Sequence, residues 1–233
     1  MYNIDLYTLL KMFSPRNKIK LSILGDSYTG KTSIISKYYN CNYKNDTRVD
    51  YYTKLVNDIK IDTWDIKGDT AYNKITNTYI QDANAFIILF DITNKSSFNN
   101  ITSWIDRIRE NSNIYGYKYY PMLLLGNKSD LTTERRVLFS EANKYARDNK
   151  LLYLEVSMHD KDRIVSCIDT YIENVYNFIY NDSNDDIVNI QFMNSQFMNK
   201  GMVISKSIEN ITLDNEKYTK KQRCYNCLSC YML

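Results

Sequence analysis

Gly25-Asp26-Ser27-Tyr28-Thr29-Gly30-Lys31-Thr32 stands between Ile19-Lys20-Leu21-Ser22-Ile23-Leu24, an apolar run with the length and residue types of a strand, and a helix-forming segment. A strand, a loop bounded by glycines and a helix, in that order, make a phosphate-binding loop. The glycines let the backbone curl so that its N–H groups face phosphate oxygens. Lys31 has the reach for β- and γ-phosphates, and the Thr32 hydroxyl is placed to bind Mg²⁺. The expected nucleotide contacts run from Gly25 through Asp26, Ser27, Tyr28, Thr29, Gly30, Lys31 and Thr32 to Ser33. Tyr28 is large for such a loop, and two orientations are open to it: over the phosphates, or out to solvent.

Downstream, β-rich runs recur at Val49 to Val56, Ile59 to Trp64, Phe86 to Asp91, Met122 to Gly126 and Leu151 to Val156, with helix-length segments between most of them. Asn57-Asp58 has the residue types of a hairpin turn between the second and third strands. Strands alternating with helices predict an α/β fold, a mostly parallel six-stranded sheet with helices on both faces and ligands at the carboxyl ends of the strands. The last helical pattern, about Arg163 to Tyr180, repeats Ile164, Ile168, Ile172, Val175 and Ile179 on one face. The expected organisation is therefore an extension over 1–17, a globular domain over 18–180 and a flexible tail over 181–233. The tail includes a short repeat, Gln191-Phe192-Met193-Asn194 and Gln196-Phe197-Met198-Asn199, whose spacing fits neither helix nor strand.

The nucleotide base is addressed by Asn127-Lys128-Ser129-Asp130, directly after the apolar run Met122 to Gly126. A carboxylate at Asp130 can accept from both N1–H and the exocyclic amine of guanine. Adenine lacks that donor pair and would leave the carboxylate unpaired. Lys128 can lay its aliphatic stem along the base. An ATP-using enzyme with the same phosphate loop conflicts with Asp130.

With these motifs, the chain resembles the small GTPases of the Ras superfamily, and most the Rab branch, over about residues 18–180. Trp64-Asp65-Ile66-Lys67-Gly68, Ile75-Thr76-Asn77-Thr78-Tyr79 through Ala83, Phe90-Asp91-Ile92-Thr93-Asn94-Lys95-Ser96-Ser97-Phe98 and Trp104 carry the rest of the likeness. The resemblance implies a guanine-nucleotide switch that binds GTP or GDP with Mg²⁺ in vesicle trafficking. It implies that Asp65 holds Mg²⁺ through a water, that the Gly68 N–H meets the γ-phosphate, and that Tyr43 lies against the guanine edge. Ser157 and Met158, in Glu155-Val156-Ser157-Met158-His159, occupy the last base-contacting loop, where Met158 and His159 depart from the usual residues. Thr47 is the candidate for the Mg²⁺-binding threonine of the first switch and Thr53 a weaker one, in a loop a few residues shorter than usual. Asp69 stands where the family carries its water-orienting glutamine, and a carboxylate there predicts weak hydrolysis. Lys67 replaces a usually small residue and either offsets the Asp69 charge, supplies a positive group in cis, or faces solvent paired with Asp69. A rival reading is a module that holds GTP without cleaving it and serves as a fixed platform for trafficking partners.

Composition narrows the remaining choices. Among 233 residues, 30 basic against 27 acidic side chains leave a net charge of +3, which gives no global case for nucleic-acid binding. The longest strictly apolar run, Ala85 to Phe90, is too short to span a bilayer. Met1-Tyr2-Asn3-Ile4-Asp5 predicts neither a secretory signal nor myristoylation. Cys41 and Cys167 stand apart while Cys224, Cys227 and Cys230 crowd the tail, which favours a reducing cytoplasmic setting over a disulfide framework. Cys230-Tyr231-Met232-Leu233 matches a prenylation motif, with Lys217, Lys220, Lys221 and Arg223 as a basic second signal and Cys224 or Cys227 as possible acylation sites. A frayed tail with a chance match, or a zinc site from the three cysteines, are the other readings. The expected partners are thus guanine nucleotide, a membrane reached peripherally through the lipid, effector and exchange-factor proteins, and the prenylation machinery.

Overall fold

The computed structural model describes residues 18–41, 49–66, 73–112 and 122–180. In chain order these form β1 (Lys18–Leu24), α1 (Lys31–Tyr39), β2 (Val49–Val56), β3 (Ile59–Ile66), α2 (Asn73–Asp82), β4 (Ala85–Asp91), α3 (Lys95–Asn99), α4 (Ile101–Asn111), β5 (Met122–Asn127), a 3-10 turn (Thr132–Glu134), α5 (Phe139–Asp148), β6 (Leu152–Glu155) and α6 (Lys161–Tyr180). The lead-in over 1–17, Tyr43, Thr47, Lys67, Gly68, Asp69, the tail repeat, Cys224, Cys227 and Cys230 lie outside the described residues.

The sheet has six strands in the order β2-β3-β1-β4-β5-β6, and β2–β3 is its antiparallel pair. Asn57 and Asp58 both take positive φ, 46° and 63°, which is the backbone of a tight hairpin turn that asparagine and aspartate tolerate. β3 runs two residues past the expected Trp64, because its ladder with β2 continues to the Val49–Ile66 pair. That extension carries Asp65 inside the strand and pairs it in register with Ile23 of β1.

β4, β5 and β6 are buried along their whole length, which is why they are runs of apolar residues rather than alternations. The pleat sends Phe86, Ile88 and Phe90 to one core, where α2, α4 and α5 contribute Ile80, Ile101, Ile105, Ile108, Ala142 and Ala146. Ile87 and Leu89 point to the opposite face. There α1 packs against α6 and buries Ile34, Ile35, Ile164, Ile168, Tyr171 and Ile172. The fully buried Tyr171 hydroxyl donates to the Phe86 carbonyl and accepts from the Phe86 N–H, each at 2.8 Å, fastening α6 to β4.

At the sheet end remote from the phosphate loop, the buried Asp62 accepts from the hydroxyls of Tyr51 (2.6 Å) and Thr53 (3.0 Å) and pairs with Lys18 (2.6 Å). Burial pushes its carboxyl up, yet Lys18, Tyr51 and Thr53 outweigh that and hold it below the usual carboxylate range. Thr53 therefore belongs to this structural cluster. Its register partner Asp62 pairs with Lys20, well before the loop at Gly25, so Thr53 lies away from that loop and is not one of its metal ligands.

Candidate nucleotide site

The loop after β1 is pressed onto its neighbours. Gly25 has φ 138°, and a Cβ there would lie 2.2 Å from the Leu89 carbonyl oxygen of β4. Gly30, at φ 96°, would place a Cβ 2.2 Å from Nδ2 of Asn127. Both glycines are thus demanded by backbone angle and by contact. The Thr29 hydroxyl donates to the Asp26 carbonyl at 2.9 Å and closes the turn internally. α1 starts at Lys31 with no side-chain cap and no acidic residue in its first turn, so its N-terminal N–H groups and dipole face the loop uncompensated, an arrangement that suits an anion.

Lys31 is buried, and its ammonium spans the loop to donate to the carbonyls of Gly25 (2.9 Å) and Asp26 (2.7 Å). Burial lowers its pKa to about 8, with the carboxylates of Asp65 and Asp26 opposing the shift. A cation held in so poorly solvated a place gains more from a phosphate than an exposed lysine does. Thr32, in the first turn of α1, provides a hydroxyl oxygen, and Asp65, buried in β3 and acting electrostatically on this lysine, provides carboxylate oxygens. Hard oxygen donors of this kind fit Mg²⁺, which is ordinarily held by one or two carboxylates together with phosphates and waters.

Asn127 ends β5 at the other half of the site, and Lys128 follows it. The Asn127 amide is 3% exposed and donates to the Thr29 carbonyl at 2.9 Å, so the base motif and the phosphate loop are one hydrogen-bonded unit. Lys128 takes φ 65° and pairs with Asp91 at 2.5 Å. Asp91 in turn accepts from the Thr93 N–H and hydroxyl at 2.8 Å each. Asp130 is exposed, and a hydrogen bond from Ser157 is the chief reason that its carboxyl lies below the usual range. The loops carrying these two residues are laced by Ser129 N–H to Val156 O (3.1 Å) and Val156 N–H to Gly126 O (2.8 Å). Met158 and Ser33 line one cavity of about 450 Å³ with Lys37, Asn40, Cys41 and Lys161. His159 is a loop residue whose N–H donates to the Ser157 hydroxyl at 3.2 Å.

The structure thus brings together the residues 25–33, Asp65, Asn127, Lys128, Asp130, Ser157 and Met158. Of Tyr28's two orientations it adopts the open one: the side chain is 95% exposed. Three supports were not foreseen from sequence as parts of the site. Asp91 anchors Lys128, Arg135 holds Glu155 through two bonds of 2.8 Å, and Trp104 bonds Asp26. Asp91 and Trp104 carried a resemblance in sequence, but their partners are set by the fold.

The Ras family's sequence profile matches residues 20–177, which take in all but the first two residues of the sheet. The chain belongs to the Ras family. Among Ras-family proteins it is similar to Ras-related protein Rab-11B of Dictyostelium discoideum, 29% identical over 216 residues that cover 89% of this chain and 94% of that protein. It is 30% identical to GTP-binding protein ypt3 of Schizosaccharomyces pombe over 70% of this chain and 78% of that protein. Ras-related protein Rab-13 of Mesocricetus auratus is 34% identical over 59% of this chain and 70% of that protein. These relatives make it a divergent Rab-like small GTPase.

Tyr28 departs from ease of folding within this Ras-family site, because a non-glycine residue at φ 65° is strained. Tyr28→Gly should raise stability by about 1 kcal/mol, since glycine adopts that angle freely and little burial is lost. Urea denaturation of both proteins checks this, and an unchanged or lower midpoint would contradict it.

Proposed function

We propose that this chain is a guanine-nucleotide switch that binds GDP and GTP with Mg²⁺ and acts with protein partners in vesicle trafficking. The observation that carries the reading is the joining of phosphate loop and base motif by the Asn127–Thr29 bond, with the Asp130 carboxylate exposed in the base motif. An ionised carboxylate accepts from two donors at once, which matches the N1–H and amine of guanine. Lys31 and the first-turn N–H groups of α1 receive the phosphates, while Lys128, its ammonium fixed by Asp91, offers its stem to the base. Thr32 and Asp65 would hold Mg²⁺, with Thr47 as a further ligand. When bound, that ion neutralises phosphate charge. Tyr43 against the guanine edge, Gly68 toward the γ-phosphate, and Ser157 and Met158 along the base complete the proposed contacts.

Protein partners are favoured by an aromatic row beside the sheet edge, with Tyr51 exposed and Trp64 and Tyr79 half-buried against the core. Tyr51, 52% exposed, stands with its ring centroid 5.7 Å from that of Trp64, which in turn lies 5.8 Å from Tyr79. Effector or exchange-factor docking on such a row is part of the proposal. No helix among the described residues is long and apolar enough to cross a membrane. Membrane attachment is assigned here to the tail, with prenylation of Cys230, acylation of Cys224 or Cys227, and the neighbouring lysines at an anionic surface.

Asp130→Asn tests the base assignment. It should weaken GDP binding by at least about tenfold, and ADP and ATP should compete poorly against the unmutated protein. Equal competition by ATP would refute the guanine assignment.

Asp69 favours the slow-hydrolysis form of this switch, because a carboxylate repels the γ-phosphate and cannot donate as glutamine does. Asp69→Gln should accelerate single-turnover GTP cleavage, and a variant no faster than the unmutated chain would show that Asp69 is not limiting.

For the anchor, Cys230→Ser should release the protein from membranes in cells. An unmodified Cys230 in the mass spectrum of membrane-bound protein would exclude its prenylation.

A further inference from the structure

Asp26 poses an electrostatic problem at the proposed phosphate subsite. It is the second residue of a loop built to receive phosphates, and its carboxylate has the same sign of charge as that ligand. Its main chain serves the loop, since the Asp26 carbonyl accepts from both Lys31 and Thr29. Its side chain is engaged elsewhere. Oδ1 accepts from the indole N–H of Trp104 at 2.9 Å, and Oδ2 accepts from the amide of Asn100 at 2.6 Å. Both donors sit at the start of α4, Asn100 being its N-cap residue. Trp104 is itself braced, packed on the apolar core with the Arg107 guanidinium 5.5 Å from its ring centre.

The donors are neutral, so they fix the direction of the carboxylate without cancelling its charge. Lys31 is the cation that Asp26 influences within the loop. A carboxylate released from α4 could turn toward that ammonium, where it would compete with phosphate for the same N–H donors and repel the phosphate directly. Holding Asp26 outward leaves Lys31 to the ligand. Each oxygen keeps a partner, so the outward position costs the carboxylate little.

We propose that Trp104 and Asn100 are positioning residues for nucleotide binding: they form a latch that holds the Asp26 carboxylate away from Lys31 and the phosphate subsite. The inference rests on the nucleotide reading above, and it adds two residues at the start of α4 that act through Asp26. Their influence passes entirely through Asp26, which separates the latch from a general packing role.

The test is a double-mutant cycle on the full chain with Mg²⁺, read as the Kd of a fluorescent GDP analogue. Trp104→Phe keeps the ring packing and removes the indole donor, and it should weaken binding by about tenfold, the scale of a hydrogen bond to a charged group. Asn100→Ala, at an exposed site, should shift Kd in the same direction and serves if the Trp104 variant folds poorly. In an Asp26→Ala background, Trp104→Phe should cause no further loss, because the carboxylate it restrains is gone. Unchanged Kd in both single variants, or the same loss with and without Asp26, would overturn the latch. Failure of the unmutated chain to bind the GDP analogue would instead overturn the nucleotide reading itself.

Discussion

The Asn127 side chain lies where three parts of the molecule meet. It ends the buried strand β5, its Nδ2 would lie 2.2 Å from a Cβ at Gly30, and it donates to the Thr29 carbonyl. The contact requires glycine at position 30 and a short polar amide at position 127. It also fixes the spacing between the glycine-bounded loop and the Asn127–Asp130 motif. Gly25, flush against Leu89 of β4, sets the other end of the loop in the same way. The loop is therefore shaped chiefly by the sheet beneath it, with Thr29 and Lys31 tightening it from within.

A parallel sheet makes this possible because β1, β4 and β5 all end at one edge, and their following loops must share that edge. The shared edge collects charge as well as backbone. Lys31 is buried there with a lowered pKa, which the negative charges of Asp65 and Asp26 partly oppose. Asp91 holds Lys128 at one end of this edge, and Asn100 and Trp104 hold Asp26 at the other. Lys31, Lys128 and Asp26 thus have fixed directions, which reduces the ordering that the proposed binding would require.

Much of this was legible in the sequence because the relevant signals are local. Strand positions follow from apolar runs such as Phe86 to Asp91, and the hairpin from Asn57-Asp58. The phosphate loop follows from its glycines and Lys31 in a strand-loop-helix context, and the base motif from Asn127 and Asp130 after β5. The sequence did not reveal contacts made across the fold. Asp26 and Trp104 are 78 positions apart, and nothing in either neighbourhood marks them as a pair. Arg135 with Glu155 is of the same kind. Thr53 shows the converse: as a hydroxyl near the first switch it was a plausible metal ligand, but strand register places it beside Asp62, where its hydroxyl is used in the sheet.

The central claim is that the joined phosphate loop and base motif form a guanine-nucleotide site. The most direct measurement is chromatographic identification of the nucleotide released when the purified full chain is denatured. The account predicts GDP or GTP in amounts stoichiometric with protein. Adenine nucleotide in that proportion would contradict it.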